Sequence, residues 1–326
     1  MPQFISRTDA EGLIPPEEFD EIITGVIAES VVLNYGRRLP NMQTGTVSMP
    51  ILDMLPLAYF NNANADPSDT SYKKTSKVAW KNKKVNAEEL SVIIPIPENV
   101  VADANYDIWD QIRPLIVQAI GAKIDAAVFF GDDAPNVWPT DIAAAAIAAG
   151  NDVPAGTGSD LYDALLAEDG VFSKVEEDGY MVTANVSYPS FKGKLRGLRG
   201  ADGNPIFQRS NNGRQDVQAA TNYELAGTPI HFMANGAWDP ATAQIISGDF
   251  SQLVYSIRQD ISFKVLDQAV IQDPADDSIA YNLPQQDMIA LRVVMRMGWQ
   301  VPNPPNLLNT DDGSRYPFAL LASSAS

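Results

Sequence analysis

Acid–base and nucleophilic chemistry need residue types that this chain hardly has. His231 is its one histidine, and there is no cysteine. Thiolate nucleophiles, disulfides and thiolate metal sites are therefore excluded, and an imidazole acid, base or ligand cluster would rest on a single side chain. That side chain stands in Thr228-Pro229-Ile230-His231-Phe232-Met233, among apolar strand-like neighbours, where an ordinary strand histidine is the simpler reading. The acidic clusters Asp132-Asp133, Asp273–Asp277 and Asp311-Asp312 offer oxygen ligands. They lack the alternating spacing and distal glutamate of a calcium loop, and solvated turns explain them. No phosphate loop, nucleophile elbow or H-E-x-x-H pair occurs, and Gly156-Thr157-Gly158 reads as linker. The expectation is a chain with no catalytic residue, no metal and no cofactor.

Charge segregation is the chemistry the chain does offer. Lys73, Lys74, Lys77, Lys81, Lys83 and Lys84 crowd into one stretch without a single acid, accompanied by Tyr72 and Trp80. The first thirty residues are the reverse: Glu17, Glu18, Asp20 and Glu21 lead a run of acids opposed only by Arg7. A basic projection on an acidic body suits docking against another copy of the same molecule, where opposite potentials meet. A solvated charged loop is the plain alternative. Nucleic-acid binding by the lysines is a third, with Tyr72 and Trp80 as the available stacking residues, but the net charge of −18 is the opposite of a nucleic-acid-gripping surface.

These residues must be positioned by a chain of 326 residues, long enough for one large domain or two ordinary ones and able to bury a core without staples. No apolar run approaches the roughly 20 residues that span a bilayer. The N-terminus shows no signal-peptide pattern, so synthesis in the cytoplasm is the expectation. Pro15-Pro16-Glu17-Glu18 predicts a helix start that runs through Phe19, Ile22, Ile23, Val26 and Ile27 to an end near Gly36. Thr44–Phe60 alternates with period two and carries Pro50 and Pro56, so it reads as an edge strand or free ribbon. The lysine-rich segment returns as its partner, leading into Leu90–Ile96. Such a hairpin would reach on the order of 40 Å and is marginal in water without a surface to lie on; a neighbouring subunit is the inferred surface.

A long helix is predicted over Tyr106–Phe130, with Pro114 in its early turns and Gly131 at its end. Asn151–Ser159 reads as a boundary, and Ser159 and Asp160 as the cap of a short helix. A buried strand is expected at Gly179–Ala184 and a helix after Pro189. Further strands are expected at Tyr223–Met233, Gln244–Ser247, Leu253–Arg258 and Ile261–Leu266, and a last long one at Ile289–Arg296. The class is α+β, without βαβ repetition.

This order of elements resembles the tailed-phage major capsid family, which has the Hong Kong 97-type fold. The residues carrying the likeness include Ser30-Val31-Val32, Met49-Pro50, Trp80-Lys81, Ile94-Pro95-Ile96-Pro97 and Ala126–Gly131. Further on come Asn185, Leu195-Arg196-Gly197-Leu198, Asp202-Gly203-Asn204-Pro205, Leu225-Ala226-Gly227-Thr228-Pro229-Ile230 and Gly248-Asp249-Phe250, with Asp287–Arg296 and Pro302 closing. Gly131, Leu225, Gly227, Pro229, Gly248 and Asp249 are the positions singled out as fold motifs. The resemblance implies an N-terminal arm (1–41), an extended loop (42–88), a peripheral domain with the spine helix (89–139), an axial domain (140–245) and returning peripheral strands with a tail (246–326). It places Lys73, Lys74, Lys77, Trp80, Lys81, Lys83 and Lys84 on the extended loop, and Glu17, Glu18, Asp20 and Glu21 on the arm, both as intersubunit contacts.

The implied function is a virion shell subunit, made and assembled in the host cytoplasm. It would self-associate as pentamers and hexamers around double-stranded DNA without reading its sequence and without a membrane. A portal and a decoration protein are implied partners. Because Met1 stands directly before the arm, a separate scaffolding protein is expected. No asparagine or glutamate matches the crosslinking pattern of some members, so no autocatalysis is expected. The family's Ala-Phe pair after the last proline is replaced by Pro305-Asn306-Leu307-Leu308. An encapsulin-like compartment of the same fold is the near alternative, and an acidic α+β hydrolase or glycan-binding protein the distant one.

Overall fold

The computed structural model describes residues 30–58, 75–103, 108–156, 160–198, 223–273 and 278–323. The arm carboxylates Glu17, Glu18, Asp20 and Glu21, the lysines Lys73 and Lys74, and the Asp202–Pro205 turn lie outside the described residues.

The spine is α3 (Ile108–Phe130), preceded by α1 (Val31–Tyr35) and α2 (Glu98–Asp103). Its 23 residues make a rod of about 35 Å at 1.5 Å per residue. Ile116, Ile120 and Ile124 recur every four residues, so they fall on one face, and each is at most 2% exposed. Towards its C-terminus the helix is buried all round, from Ile124 to Phe129. Gly131 ends it in the left-handed region (φ 70°), its N–H bonded to Ala127 O at 3.1 Å. A β-carbon on Gly131 would come within 2.9 Å of Asp141 Oδ1. Asp141 is the cap of α4 (Ile142–Ala149), so this glycine also lets the two helices meet.

Four strands form one sheet in the order β1 (Arg37–Arg38), β10 (Val254–Leu266), β13 (Met288–Gln300), β4 (Glu88–Pro97). The alternation expected in the long strand is present: Leu291, Val293, Met295, Met297 and Trp299 all point into the core. Val254–Leu266 is one strand and not the two expected, because register shifts between Ile257 and Ser262 absorb the break in its pattern as bulges.

A second sheet has six strands, β5 (Asp152–Val153), β14 (Phe318–Ala322), β9 (Ala243–Gly248), β6 (Ala184–Ser187), β8 (Thr228–Phe232) and β7 (Tyr223–Leu225), in that order. Every residue of β9 and β6 is buried, as expected for central strands covered on both faces. Ile246, Phe318 and Leu320 pack towards the spine helix and α4. Ile245, Ala319 and Leu321 pack on the opposite side, against α5 (Leu161–Leu166), α6 (Val171–Glu177) and α7 (Phe191–Gly197). The sheet is thus the middle of three layers, and the spine-side cluster continues into the four-stranded sheet.

Several expectations need correction. The strand expected at Gly179–Ala184 begins only at Ala184, since Gly179 (φ 77°) is still ending α6. Tyr223–Met233 is a hairpin, not one strand: Ala226 and Gly227 both take positive φ (50° and 80°), the backbone of a type I′ turn. Among the described residues of the strand expected at Thr44–Phe60, only β2 (Thr46–Met54) is extended in a ladder. The long strand through Arg296 is not the last, because β14 follows it. The Asn151–Ser159 stretch read as a boundary contributes β5, and Asn151 is buried with its Nδ2 bonded to Asp178, Tyr316 O and Phe318 O. The small hairpin of β11 (Val270–Gln272) and β12 (Ile279–Asn282) had no counterpart in the sequence reading.

Gly248 shows why one motif glycine is needed. A β-carbon there would sit 2.4 Å from both Phe318 Cδ1 and Pro317 O, too close to relieve without moving a central strand. Gly248→Ala should lower stability by about 3 kcal/mol, read as a drop in urea midpoint; an unchanged midpoint would contradict the packing described.

Candidate functional site

The ribbon is β2 paired antiparallel with β3 (Ala79–Asn86), in a register running from Thr46 opposite Asn86 to Met54 opposite Ala79. Period two divides its side chains between two faces. On one face Lys81, Lys83 and Val85 lie opposite Ile51, Met49 and Val47; on the other Trp80, Asn82 and Lys84 lie opposite Leu52, Pro50 and Ser48.

The first face is engaged at home. Val85 and Ile51 are buried. Lys81 pairs with Asp53 at 3.4 Å and with Asp312 of the C-terminal loop. Lys83 Nζ donates to Val301 O at 3.0 Å; burial holds its pKa below the usual lysine range, against the pull of Asp312. Partial burial would raise the Asp312 carboxyl, but the hydrogen bond and charge of Lys81, together with Lys83 and Arg315, hold it below the usual carboxylate range. Arg315 is itself buried, its guanidinium bonded to Asn303, to Asn309 O and to Asp312. The lysines therefore dock on a loop that is already fixed.

The ribbon's root is equally fixed. Trp138 Nε1 donates to Asn86 O at 3.1 Å, Asn86 Nδ2 donates to Val137 O at 2.8 Å, and Gln300 Nε2 donates to Lys84 O at 3.1 Å. Gly298 permits the crossing, since a β-carbon there would lie 2.3 Å from Asn86 O. After Ala87 alone, the chain changes partner and continues as β4 alongside β13.

The second face has no such cover among the described residues. Trp80 is 68% exposed, and Lys84, Asn82, Pro50 and Ser48 are exposed around it. Lys77, just before β3, is exposed as well. Sequence reasoning brought Lys77, Trp80, Lys81, Lys83 and Lys84 to one ribbon but did not separate the two faces. It also missed Asp312 and Arg315, whose cluster read as a solvated turn. Asp132 and Asp133, read in the same way, are both 3.2 Å from Lys123 Nζ. His231 lies in β8 with its ring edge-on to Tyr35, 5.8 Å away; burial and the charge of Lys192 hold its pKa below the usual value. The described residues include a surface groove of about 490 Å³ between α5 and α7 and a smaller one of about 110 Å³ beside Trp138.

A second cluster ties the start of α1 to the spine. Asp125, fully buried on α3, accepts hydrogen bonds from Ser30 Oγ, Val31 N, Val32 N and Asn235 Nδ2 at 2.8–3.1 Å. It thereby satisfies the open amides at the start of α1 from another element. The signal for it in the sequence is a lone carboxylate inside the stripe Ile124–Val128.

Two outcomes test this geometry. A Lys81 pair of this exposure contributes about 1 kcal/mol, so Lys81→Gln should speed amide exchange in β2 and β3 about fivefold while the global unfolding midpoint holds; unchanged exchange would contradict the anchor. For Asp125, burial outweighs its four donors and pushes the carboxyl up to about 6. A carboxyl whose folded pKa exceeds its unfolded one stabilises the native state at low pH and loses that contribution as pH rises through about 4 to 6. Unfolding free energy should fall by about 1 kcal/mol from pH 5 to 7 on this account, and Asp125→Asn should remove that part of the slope.

Comparison with known proteins gives this geometry a setting. The model of the phage capsid family matches residues 10–307. The major capsid protein of Staphylococcus phage 80alpha is 25% identical over 232 residues, which is 70% of this chain and 65% of that protein. The match therefore spans just under two thirds of the curated relative. A solved chain of Microbacterium phage Oxtober96 has a TM-score of 0.75 at 36% identity, covering 98% of this chain and 99% of that one. One from Mycobacterium phage Adephagia has a TM-score of 0.74 at 29% identity, covering 99% of each. The α+β fold expected from the sequence, of Hong Kong 97 type, is the fold found. With a family model matched from residue 10 to residue 307, the chain belongs to the phage capsid family.

Proposed function

We propose that this chain is the major capsid protein of a tailed phage, assembling as pentamers and hexamers into an icosahedral shell around double-stranded DNA. The observation that carries this reading is the ribbon with one face latched to its own body and the other, around Trp80, uncovered among the described residues. A two-stranded ribbon is marginal alone, and an exposed tryptophan is a typical interface anchor. A neighbouring copy completes it. Lys77, Trp80 and Lys84 are the contact residues in this proposal, with Lys73 and Lys74 further out along the loop. Lys81 and Lys83 act from within, holding the ribbon at the angle from which it reaches the neighbour.

The division proposed for the shell follows the sequence boundaries: arm 1–41 with Glu17, Glu18, Asp20 and Glu21 as contacts, extended loop 42–88, peripheral domain 89–139 with 246–326, and axial domain 140–245. Sheet membership refines it. Strand β9 crosses the 245/246 boundary and β14 lies between β5 and β9, so both are assigned to the axial unit. Assembly proceeds through many modest contacts. One interface at ~1 mM dissociation is worth only about 4 kcal/mol, but several made together give a shell that corrects its errors and persists once closed. The net charge of −18 suits a container that leaves packaged DNA mobile. A separate scaffolding protein, a portal and a decoration protein are its proposed partners, and host cytoplasm followed by the virion its location.

Trp80→Ala combined with Lys84→Glu should cut the yield of megadalton particles at least tenfold in size-exclusion chromatography, leaving folded species near 35.4 kDa or as small oligomers. Wild-type particle yield from this variant would reject the contact.

A further inference from the structure

The outer helices of the six-stranded sheet divide charge in a way the ribbon does not explain. On the β5–β14–β9 side, α6 packs on β14 and β9, and the α5–α6 pair exposes Glu168, Asp169, Glu176 and Glu177. Its one lysine, Lys174, is 4.0 Å from Asp169. On the β8 side, α7 carries Lys192 and Arg196 one turn apart, and the stretch Gly179–Ala201 contains no acid. Lys192 Nζ lies 4.4 Å over the ring of Phe232 in β8, which fixes the direction of this basic side. Lys194, on the other side of the helix, turns inward to Gln244 at 2.8 Å and, with Asp160, borders the groove between α5 and α7. Strand β7 adds one carboxylate, Glu224, to the basic end. Helix α6 lies over β14 and β9 and Lys192 over β8, so at about 4.8 Å per strand the acidic and basic groups stand about 12 Å apart on one face.

We propose that the basic α7 end of one copy meets the acidic α5–α6 end of the next. The partner is a second copy of this chain. Side by side, like ends would repel and opposite ends attract, so this contact is head-to-tail and repeats until a ring closes. The inference rests on the shell reading and adds to it which surfaces meet within a ring and in what sense.

The test uses full-length chains carrying Lys192→Glu with Arg196→Glu, Glu176→Lys with Glu177→Lys, or all four changes. Assembled species, capsomers or shells, are quantified by sedimentation at about 0.15 M salt, and folding by circular dichroism. Each one-sided reversal should lower assembly at least tenfold with the fold retained, and the fourfold swap should restore it to within about threefold of wild type. A fourfold swap no better than its one-sided parents, or one-sided variants that assemble like wild type, would overturn the pairing while leaving the shell reading intact. An unaltered chain that forms no assemblies would instead sink the shell reading itself. Should the α7 variant not fold, the exposed α6 variant decides alone, because wild-type assembly from it refutes the contact and its loss, relieved by raised salt, supports it.

Discussion

Two strands make a ribbon with two faces, and the described residues of this chain cover only one of them. Lys81, Lys83 and Val85 turn towards the body, where Asp312 and the carbonyl of Val301 wait on a loop held rigid by Arg315. Trp80 and Lys84 turn away. Strand alternation links the two faces, since the residue set that anchors the ribbon at home turns the intervening set to the opposite side. The exposed set is therefore fixed in direction by the buried one, and a surface presented in a fixed direction loses little conformational entropy when a partner covers it.

The same economy appears in the body. The spine helix supplies the cluster that joins both sheets, and one carboxylate on it, Asp125, closes the open amide end of α1. Asp178 does the equivalent for the C-terminal loop, accepting from Asn151, Asn309 and Tyr316 N at 2.7–2.9 Å. Each buried carboxylate is ringed by donors from distant segments, so the start of α1 and the C-terminal loop on which the ribbon docks are referenced to one rigid core. Loosening either of them would move a proposed contact surface without unfolding the protein.

Much of this was legible in the sequence, and for identifiable reasons. The spine helix, β13 and the glycine-ended turns declare themselves through periodicity and punctuation, which are local properties. The ribbon was found from the same signals, with its outer lysines. What stayed hidden depends on contacts between distant residues. Whether Lys81 or Trp80 faces the body is set by a loop more than 200 residues later. Asp312 looked like part of a solvated turn because nothing nearby in sequence shows that Lys81 comes to it. Strand β14 was missed since Phe318–Ala322 is a short apolar run after a proline-rich passage, and its place between β5 and β9 is decided by pairing alone.

The direct measurement of the central claim is a cryo-electron microscopy map of particles formed by the purified chain, at a resolution that shows side chains. The account requires each Trp80 to be buried against a neighbouring subunit while Lys81 still reaches Asp312 of its own. A map in which Trp80 is open to solvent, or folded back on its own subunit, would contradict it.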